Sequence, residues 1–320
     1  MSSPLRTLVI LNNKAARAKR TWPLIRKVLA RHNFSFDLHE TTHAGDAESC
    51  TRSALGAGYS VIAVVGGDGT LSEVASGFFE PQDGQKSASM PASISETAAL
   101  ALLPSGTGND FARGLLRRRA SLDDWINKLI EYSRNGAAAQ RIDVLQGSVD
   151  GGAKKFICLN AATLGIGAEV AALVAGQSHL TQRFSGEIRF AMAALAALAR
   201  WRVRRVRVRV DDQAPLDTAS NLIAISNGLY AGGGMKFTPA ARFNDGRLDV
   251  LVVQRGTRRT ILRELTRIHS GGHLANPKVL VKSGTRVRID TPHEDQRLTL
   301  EADGNVADKR QPSSPCCRGG

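Results

Sequence analysis

The stretch VVGGDGTLSEV, residues 64–74, decides the fold. It begins at the end of a continuous apolar run, Val61 to Val65, of the kind buried on both faces of a parallel sheet. Gly66, Gly67 and Gly69 then allow a backbone to approach a ligand closely, and Thr70 can cap a helix whose first N–H groups face an anion. The turn is neither of two familiar phosphate loops. No GxxxxGK[ST] occurs in the chain, and Ser72 stands where GxGxxG needs its third glycine. Asp68 supports two readings at this point. A carboxylate beside phosphates implies a divalent cation between them, hence a Mg²⁺-bound nucleotide; alternatively Asp68 is a local hydrogen-bond acceptor in a plain strand-to-helix turn.

Working outward, Thr7 to Leu11 reads as a strand, Trp22 to Arg31 as a helix, Phe34 to Glu40 as a strand and Gly45 to Gly58 as a helix. The apolar run Leu8 to Leu11 is too short for a signal segment. This strand–helix rhythm predicts an open, mostly parallel α/β domain that binds ligands beyond the carboxyl ends of its strands. Glu80 to Thr97, rich in Ser, Gln and Pro, is expected as a surface insertion before a strand at Ala98 to Leu103. There LLPSGTGNDFARGL, residues 102–115, repeats the arrangement of apolar strand, glycine–threonine turn and helix. Two such turns on neighbouring strands would wall a nucleotide cleft.

After about Gln140 the rhythm changes to strands: Arg141 to Gly147, Lys155 to Ala162, Val203 to Val210, Asn221 to Ser226, Arg247 to Gln254, Val279 to Lys282, Arg286 to Asp290 and Arg297 to Glu301. That run predicts a second, mainly antiparallel, β-sandwich-like domain. The expected division is an α/β domain over 1–139, a strand-rich domain over 140–305 and a disordered tail over 306–320.

The chain of 320 residues carries a formal charge of +14, which favours anionic partners: nucleotide phosphates, nucleic acid or an anionic membrane surface. Within WRVRRVRVRV, residues 201–210, a β-bulge at Arg204–Arg205 would keep Trp201, Val203, Val206, Val208 and Val210 on one face. The arginines would then form a solvated face or a patch for anionic lipid headgroups. A nucleic-acid groove is disfavoured because no aromatic side chain is interleaved with them to stack on bases. The longest apolar run, Ala191 to Ala199, falls short of the ~20 residues that span a bilayer. Cys50, Cys158, Cys316 and Cys317 show no metal-type spacing, which fits a reducing cytoplasm. His269 and His273, with Gly271 and Gly272 between them, read as loop residues and not metal ligands.

GGDGT at 66–70 together with LPSGTGNDFAR at 103–113 resembles the diacylglycerol kinase catalytic domain, in particular the soluble bacterial lipid kinases related to diacylglycerol and sphingosine kinases. The resemblance continues through TTHAGDA (41–47), RIDV (141–144), FICLNAATLGIGAEV (156–170), SNGLYAGGGMKFTPAARFNDGRLDVLVV (226–253) and EADGN (301–305). GGDGT is shared with NAD kinases and phosphofructokinases, and the other segments carry the distinction.

The resemblance implies ATP contacts from Asn12, Thr41, Gly66, Gly67, Asp68, Gly69, Thr70 and Thr107. It implies Asp303 as the base that deprotonates a lipid hydroxyl, although Asn305 replaces the usual glutamate of the DGE motif. It implies a structural Mg²⁺ held by Asp245 and by main-chain oxygens of Arg242 and Arg247. Asp68, Asp110 and Asp143 are candidates for the network around a catalytic Mg²⁺. The first loop, NNKAARAK, also departs from the family's Asn-Pro and glycine pattern. The expected protein is thus an ATP- and Mg²⁺-dependent lipid kinase, cytoplasmic and peripheral to the inner membrane face. Its lipid pocket is expected near Phe184 to Trp201, and its strand-rich domain offers a surface for homodimer pairing. An NAD kinase-like enzyme and a non-catalytic lipid or nucleotide sensor are the alternatives, and a nucleic-acid binder comes third.

Overall fold

The computed structural model describes residues 5–81, 91–117, 120–136, 139–149, 154–175, 186–199, 202–255, 257–293, 298–308 and 316–319. They fall into two compact units that change over between Ile142 and Asp143.

In the first unit the strands are β1 (Thr7–Leu11), β2 (Asp37–Glu40), β3 (Val61–Gly66) and β4 (Ala99–Pro104), and the helices are α1 (Ala16–Arg31), α2 (Asp46–Gly56), α3 (Asp68–Ser76), α4 (Asp110–Leu116) and α5 (Leu122–Asn135). The described strands form one parallel sheet in the order β2-β1-β3-β4. Alternation along β1 and β3 explains the core. Val9, Leu11, Val61, Ala63 and Val65 pack with Ile25 and Leu29 of α1 and with Trp125, Ile126 and Leu129 of α5. Leu8, Ile10, Ile62 and Val64, pointing the other way, are buried as well, so both faces are covered, as a parallel sheet requires. α1 begins six residues before the apolar periodicity does, because AARAKR is made of strong helix formers. From β1 the chain moves first to β2 on one side and then to β3 on the other. The topological switch point therefore lies between β1 and β3.

The second unit contains β5 (Leu145–Val149), β6 (Lys154–Cys158), β7 (Ala161–Gly165), α6 (Ile166–Ala175), α7 (Gly186–Ala199), β8 (Arg204–Val210), β9 (Leu216–Ser226), β10 (Leu248–Gln254), α8 (Arg258–Arg267), β11 (Val279–Gly284), β12 (Arg286–Asp290), β13 (Leu300–Ala302), β14 (Asn305–Asp308) and β15 (Cys316–Gly319). All described pairings here are antiparallel. Successive β9 residues serve two cores. Ile223 and Ile225 join Val206, Val208, Val250 and Val287 on one face. Leu222 and Ala224 join Ile166 of α6, Ala193 and Ala197 of α7 and Ile261 of α8 on the other. The sheet is thus covered by a helical layer on one side and by its own strands on the other.

Four expectations are corrected. Lys155 to Ala162 is two strands, broken at Leu159 and Asn160, whose N–H groups turn toward Asp303. No bulge occurs at Arg204–Arg205: β8 begins at Arg204 and pairs with β9 in unbroken register from Arg204↔Ser220 to Val208↔Leu216. Val203 lies outside the strand and is exposed, while Val206, Val208 and Val210 are buried. Third, the tail is not wholly disordered. Asn305–Asp308 pairs with β13, and Cys316–Gly319 lies between β12 and β5. Open strand edges are satisfied by any main chain, so this pairing needs no apolar pattern. Fourth, in the segment expected as the strand Arg297 to Glu301 the described strand is Leu300–Ala302, and Arg297 lies outside the described residues. Half of the Ser-rich insertion, residues 82–90, and both ends of the Phe184 to Trp201 segment lie outside the described residues.

Candidate active site

In the first unit, the carboxyl ends of the strands bring the expected nucleotide contacts together. Asn12 N–H donates to the Val65 carbonyl (3.1 Å), Thr41 N–H to the Leu11 carbonyl (2.9 Å) and Ser105 N–H to the Gly66 carbonyl (2.8 Å). The loops after β2, β1, β3 and β4 are therefore laced to one another along a single edge, at the topological switch point.

The two glycine turns meet backbone to backbone. A Cβ added to Gly106 would lie 2.4 Å from the Gly67 Cα, and one added to Gly67 would lie 3.1 Å from the Gly106 Cα. Only glycine fits at Gly106 without moving main chain. Asn109, at φ 52°, closes its own turn: its Oδ1 accepts the Gly106 N–H (2.9 Å) and its Nδ2 donates to the Gly106 carbonyl (3.2 Å). Thr107 stands exposed at the tip.

Asp68 fastens the two turns. Its carboxylate accepts the main-chain N–H groups of Asp110 (3.1 Å) and Phe111 (3.2 Å), which open α4. The local-acceptor reading of Asp68 is thus realised, with the acceptor role reaching across to the neighbouring turn and satisfying donors that a helix start leaves unpaired. Burial pushes the Asp68 carboxyl up, against the lowering effect of those two N–H groups. Asp68 and Asp110 also converge on Gly108, where an added Cβ would lie 3.2 Å from Asp68 Oδ2 and 3.5 Å from Asp110 Oδ2. Arg113 Nη2 donates to the Gly108 carbonyl (3.2 Å) and its Nη1 lies 3.4 Å from Asp110 Oδ1.

Asn12 holds Thr70: its Nδ2 donates to Thr70 Oγ1 at 2.8 Å, while its Oδ1 accepts the N–H groups of Lys14 and Ala15, both at 3.2 Å. Gly66 is crowded by the same Thr70 side chain. Thr41 is followed by a pinned turn, in which Asp46 Oδ2 accepts Thr42 N–H (2.7 Å) and Thr42 Oγ1 (2.9 Å), and Asp46 Oδ1 lies 3.1 Å from His39 Nε2. The Thr42 main-chain donor first, and then its hydroxyl, hold the Asp46 carboxyl at about 2.

Asp303 lies in the second unit, in the β13–β14 hairpin. It has φ 47° and Gly304 has φ 89°, the left-handed pair that a tight two-residue hairpin turn demands. Its buried carboxylate accepts three successive main-chain N–H groups, from Leu159 (2.7 Å), Asn160 (3.1 Å) and Ala161 (3.1 Å). Gly304 N–H donates to the Glu301 carboxylate, which also accepts the Thr163 hydroxyl at 2.7 Å. The Cys158 thiol beneath is pushed well up, first by burial and then by the Asp303 charge.

Asn227, to which the sequence reading assigned no role, ties this turn down. Its Nδ2 donates to the carbonyls of Leu159 (2.9 Å) and Asp143 (2.7 Å), and its own N–H donates to the Asn160 carbonyl (2.8 Å). Asp143 Oδ2 in turn accepts the Gly246 N–H at 2.6 Å. The expected second metal position lies in the separate turn that contains Gly246. Asp245 Oδ1 accepts the Arg247 N–H (3.0 Å), and Arg247 reaches Ser283 through its guanidinium; Arg242 and Asp245 are exposed. These residues make a closed turn, in which the Asp245 and Asp143 carboxylates each already accept a main-chain N–H. Among the described residues no group of three or more His, Cys, Asp or Glu side chains is placed to hold a metal. His273 is buried against the Phe237 carbonyl at 3.1 Å, and His269 lies 3.3 Å from the Gly234 carbonyl.

Residues 6–144 match the diacylglycerol kinase catalytic domain and residues 161–316 the YegS C-terminal NAD kinase beta sandwich-like domain. The chain belongs to the diacylglycerol kinase family. It is 33% identical over 222 residues to a "Probable lipid kinase YegS-like" of Pseudomonas putida, an alignment spanning 68% of this chain and 63% of that protein. A protein of the same name from Xanthomonas campestris pv. campestris is 28% identical over 291 residues, covering 88% of this chain and 84% of that one. The "Diacylglycerol kinase" of Bacillus subtilis is 24% identical over 302 residues, covering 93% and 89%. Among solved structures, a diacylglycerol kinase from Bacillus anthracis str. Sterne shares the fold with a TM-score of 0.62 at 17% identity, covering 100% of this chain and 95% of that one. Membership of the family supports a kinase. No helix among the described residues is long and apolar enough to cross a membrane.

Proposed function

We propose that the chain is an ATP- and Mg²⁺-dependent lipid kinase that transfers the γ-phosphoryl group to a lipid hydroxyl, diacylglycerol or a related lipid, as a peripheral enzyme at the inner membrane face. The observation that carries the reading is the contact of Gly67 with Gly106 at the sheet's switch point, with Asp68 bridging to α4. It fits a nucleotide cradle, because a ligand can lie directly against main chain where side chains are excluded. Asn12 orients Thr70, and Thr107 remains exposed for contact. Asp68 and Asp110, converging on Gly108, are the carboxylates suited to Mg²⁺, which is commonly held by one or two carboxylates plus substrate phosphates. When bound there, the ion neutralises phosphate charge. The Asp245 turn does not fit a metal equally well, and no step is assigned to it.

Transfer of a phosphoryl group asks mainly for positioning and charge neutralisation. Asp303 has the second role the reaction needs, an acceptor for the hydroxyl proton, and its three main-chain donors fix it in place. The test is transfer of labelled γ-phosphate from ATP, with Mg²⁺, to a panel of membrane lipids in mixed micelles. A non-catalytic sensor is the second reading, favoured by Asn305 in place of glutamate and by the full engagement of the Asp303 carboxylate. ATP binding without transfer to any lipid would select it.

A further inference from the structure

The arginines of β8 are largely occupied. Arg207 makes a bidentate pair with Asp217 (2.7 and 3.0 Å), Arg209 lies 3.5 Å from Asp290 and Arg204 lies 3.9 Å from Glu169. That strand is a salt-bridged face, and the chain's excess positive charge must be offered elsewhere.

The helical layer of the second unit offers it. α8 buries Ile261 and Glu264 and turns Arg258, Arg259, Leu262 and Arg263 outward. α7 buries Ala193 and Ala197 and turns Met192, Leu195 and Ala199 outward. The Arg258 guanidinium donates to the Ala199 carbonyl at 2.7 Å, which places the two outward faces side by side. Leu195 lies one turn before Ala199 and Leu262 one turn after Arg258, so both belong to the joined surface. Met192 is 45% exposed, Leu195 60% and Leu262 50%. The only acid in residues 192–199 and 258–267 is Glu264, which is buried and bonded by Asn276 (3.0 Å) and paired with Arg263 (3.0 Å). Large apolar side chains held in water beside arginines that outnumber the single acid of α8 match an interface with an apolar interior and an anionic skin.

We propose that this α7–α8 face, with Met192, Leu195 and Leu262 as its apolar contacts and Arg258 and Arg259 as its charges, is the surface that docks on an anionic lipid bilayer. The occupant follows from charge complementarity: interleaved apolar and basic side chains suit phospholipid headgroups over an acyl layer. Nucleic acid would need stacking aromatics, and these residues include none. The proposal rests on the lipid-kinase reading only for its purpose, and it is tested without ATP so that the two can fail separately.

The experiment is cosedimentation of the full chain with phosphatidylglycerol–phosphatidylcholine vesicles and with pure phosphatidylcholine vesicles, at low and high salt. Wild type should sediment with the anionic vesicles and be released by salt. Arg259→Ala should lower partition about fivefold, the effect of one basic residue near such a surface. Leu262→Asp and Leu195→Ser should each lower it roughly tenfold or more, through lost apolar burial. Arg207→Ala on β8 should leave it unchanged. All are exposed positions, and thermal unfolding verifies that each variant is folded. Failure of wild type to bind anionic vesicles would overturn the proposal, as would binding by the patch variants at wild-type strength. Patch variants that instead convert a dimer to a monomer, or abolish salt-sensitive binding to duplex DNA, would overturn it in favour of that other partner. Label transfer to a detergent-dispersed lipid, measured apart, reports on the kinase reading alone.

Discussion

Gly67 and Gly106, on neighbouring strand ends, touch through their Cα atoms so closely that a side chain on Gly106 would stand 2.4 Å from Gly67. The two glycine turns are therefore one built object. Gly106→Ala should destabilise the protein by about 1–3 kcal/mol, the usual cost of forcing backbone apart in a packed site. It should weaken ATP binding by at least roughly tenfold. Gly67→Ala, with 3.1 Å available, should be milder on both counts. Thermal unfolding and a nucleotide titration of the two variants give the ranking directly.

Asp68 bridges these turns by accepting from Asp110 and Phe111. Asp68→Ala leaves the opening of α4 without its acceptor, at a cost of about 1–2 kcal/mol by analogy with lost helix caps. Amide hydrogen exchange should localise the effect, with the Asp110 and Phe111 amides losing protection while those of β1 keep theirs.

Asp46 predicts a pH dependence. Its folded carboxyl stands at about 2 against an ordinary 3.8, chiefly through the Thr42 N–H and hydroxyl. A carboxyl lowered on folding contributes stability that is complete above its unfolded value and is lost as pH falls through its folded value. The melting-temperature gap between wild type and Asp46→Ala should be constant above about pH 5 and narrow between about pH 4 and pH 2. A gap that widens on acidification would contradict the assignment.

The parallel sheet was legible because Val61–Val65 and Thr7–Leu11 are buried on both faces and so are apolar at every position or nearly so. The nucleotide edge was legible because glycine and threonine recur at two strand ends. Less legible was what long-range geometry demands. FICLNAA reads as one strand, yet it breaks at Leu159 so that three N–H groups can turn to a carboxylate 144 residues away. Asn227 was equally hidden, since its task is to hold the carbonyls of Leu159 and Asp143 and nothing in SNGLY announces that. The β8 arginines misled for a related reason: their partners Asp217 and Asp290 come from other strands.

Asn227 carries its own prediction. Its removal loosens the turn whose N–H groups hold Asp303, and small displacements of a reacting group are costly. Asn227→Ala should lower kcat by roughly ten- to hundredfold while KM for ATP is kept. Steady-state kinetics, with hydrogen exchange at Leu159 to Ala161 alongside, separates this from general unfolding.

The most direct measurement is label transfer from ATP to the accepting lipid, with ATP affinity determined in parallel, for wild type, Asp303→Ala and Gly106→Ala. The lipid-kinase account predicts that Asp303→Ala loses transfer by at least roughly a hundredfold with ATP affinity intact, the general-base range, whereas Gly106→Ala loses ATP affinity. Transfer surviving in Asp303→Ala, or transfer and ATP affinity falling equally in that variant, would contradict it.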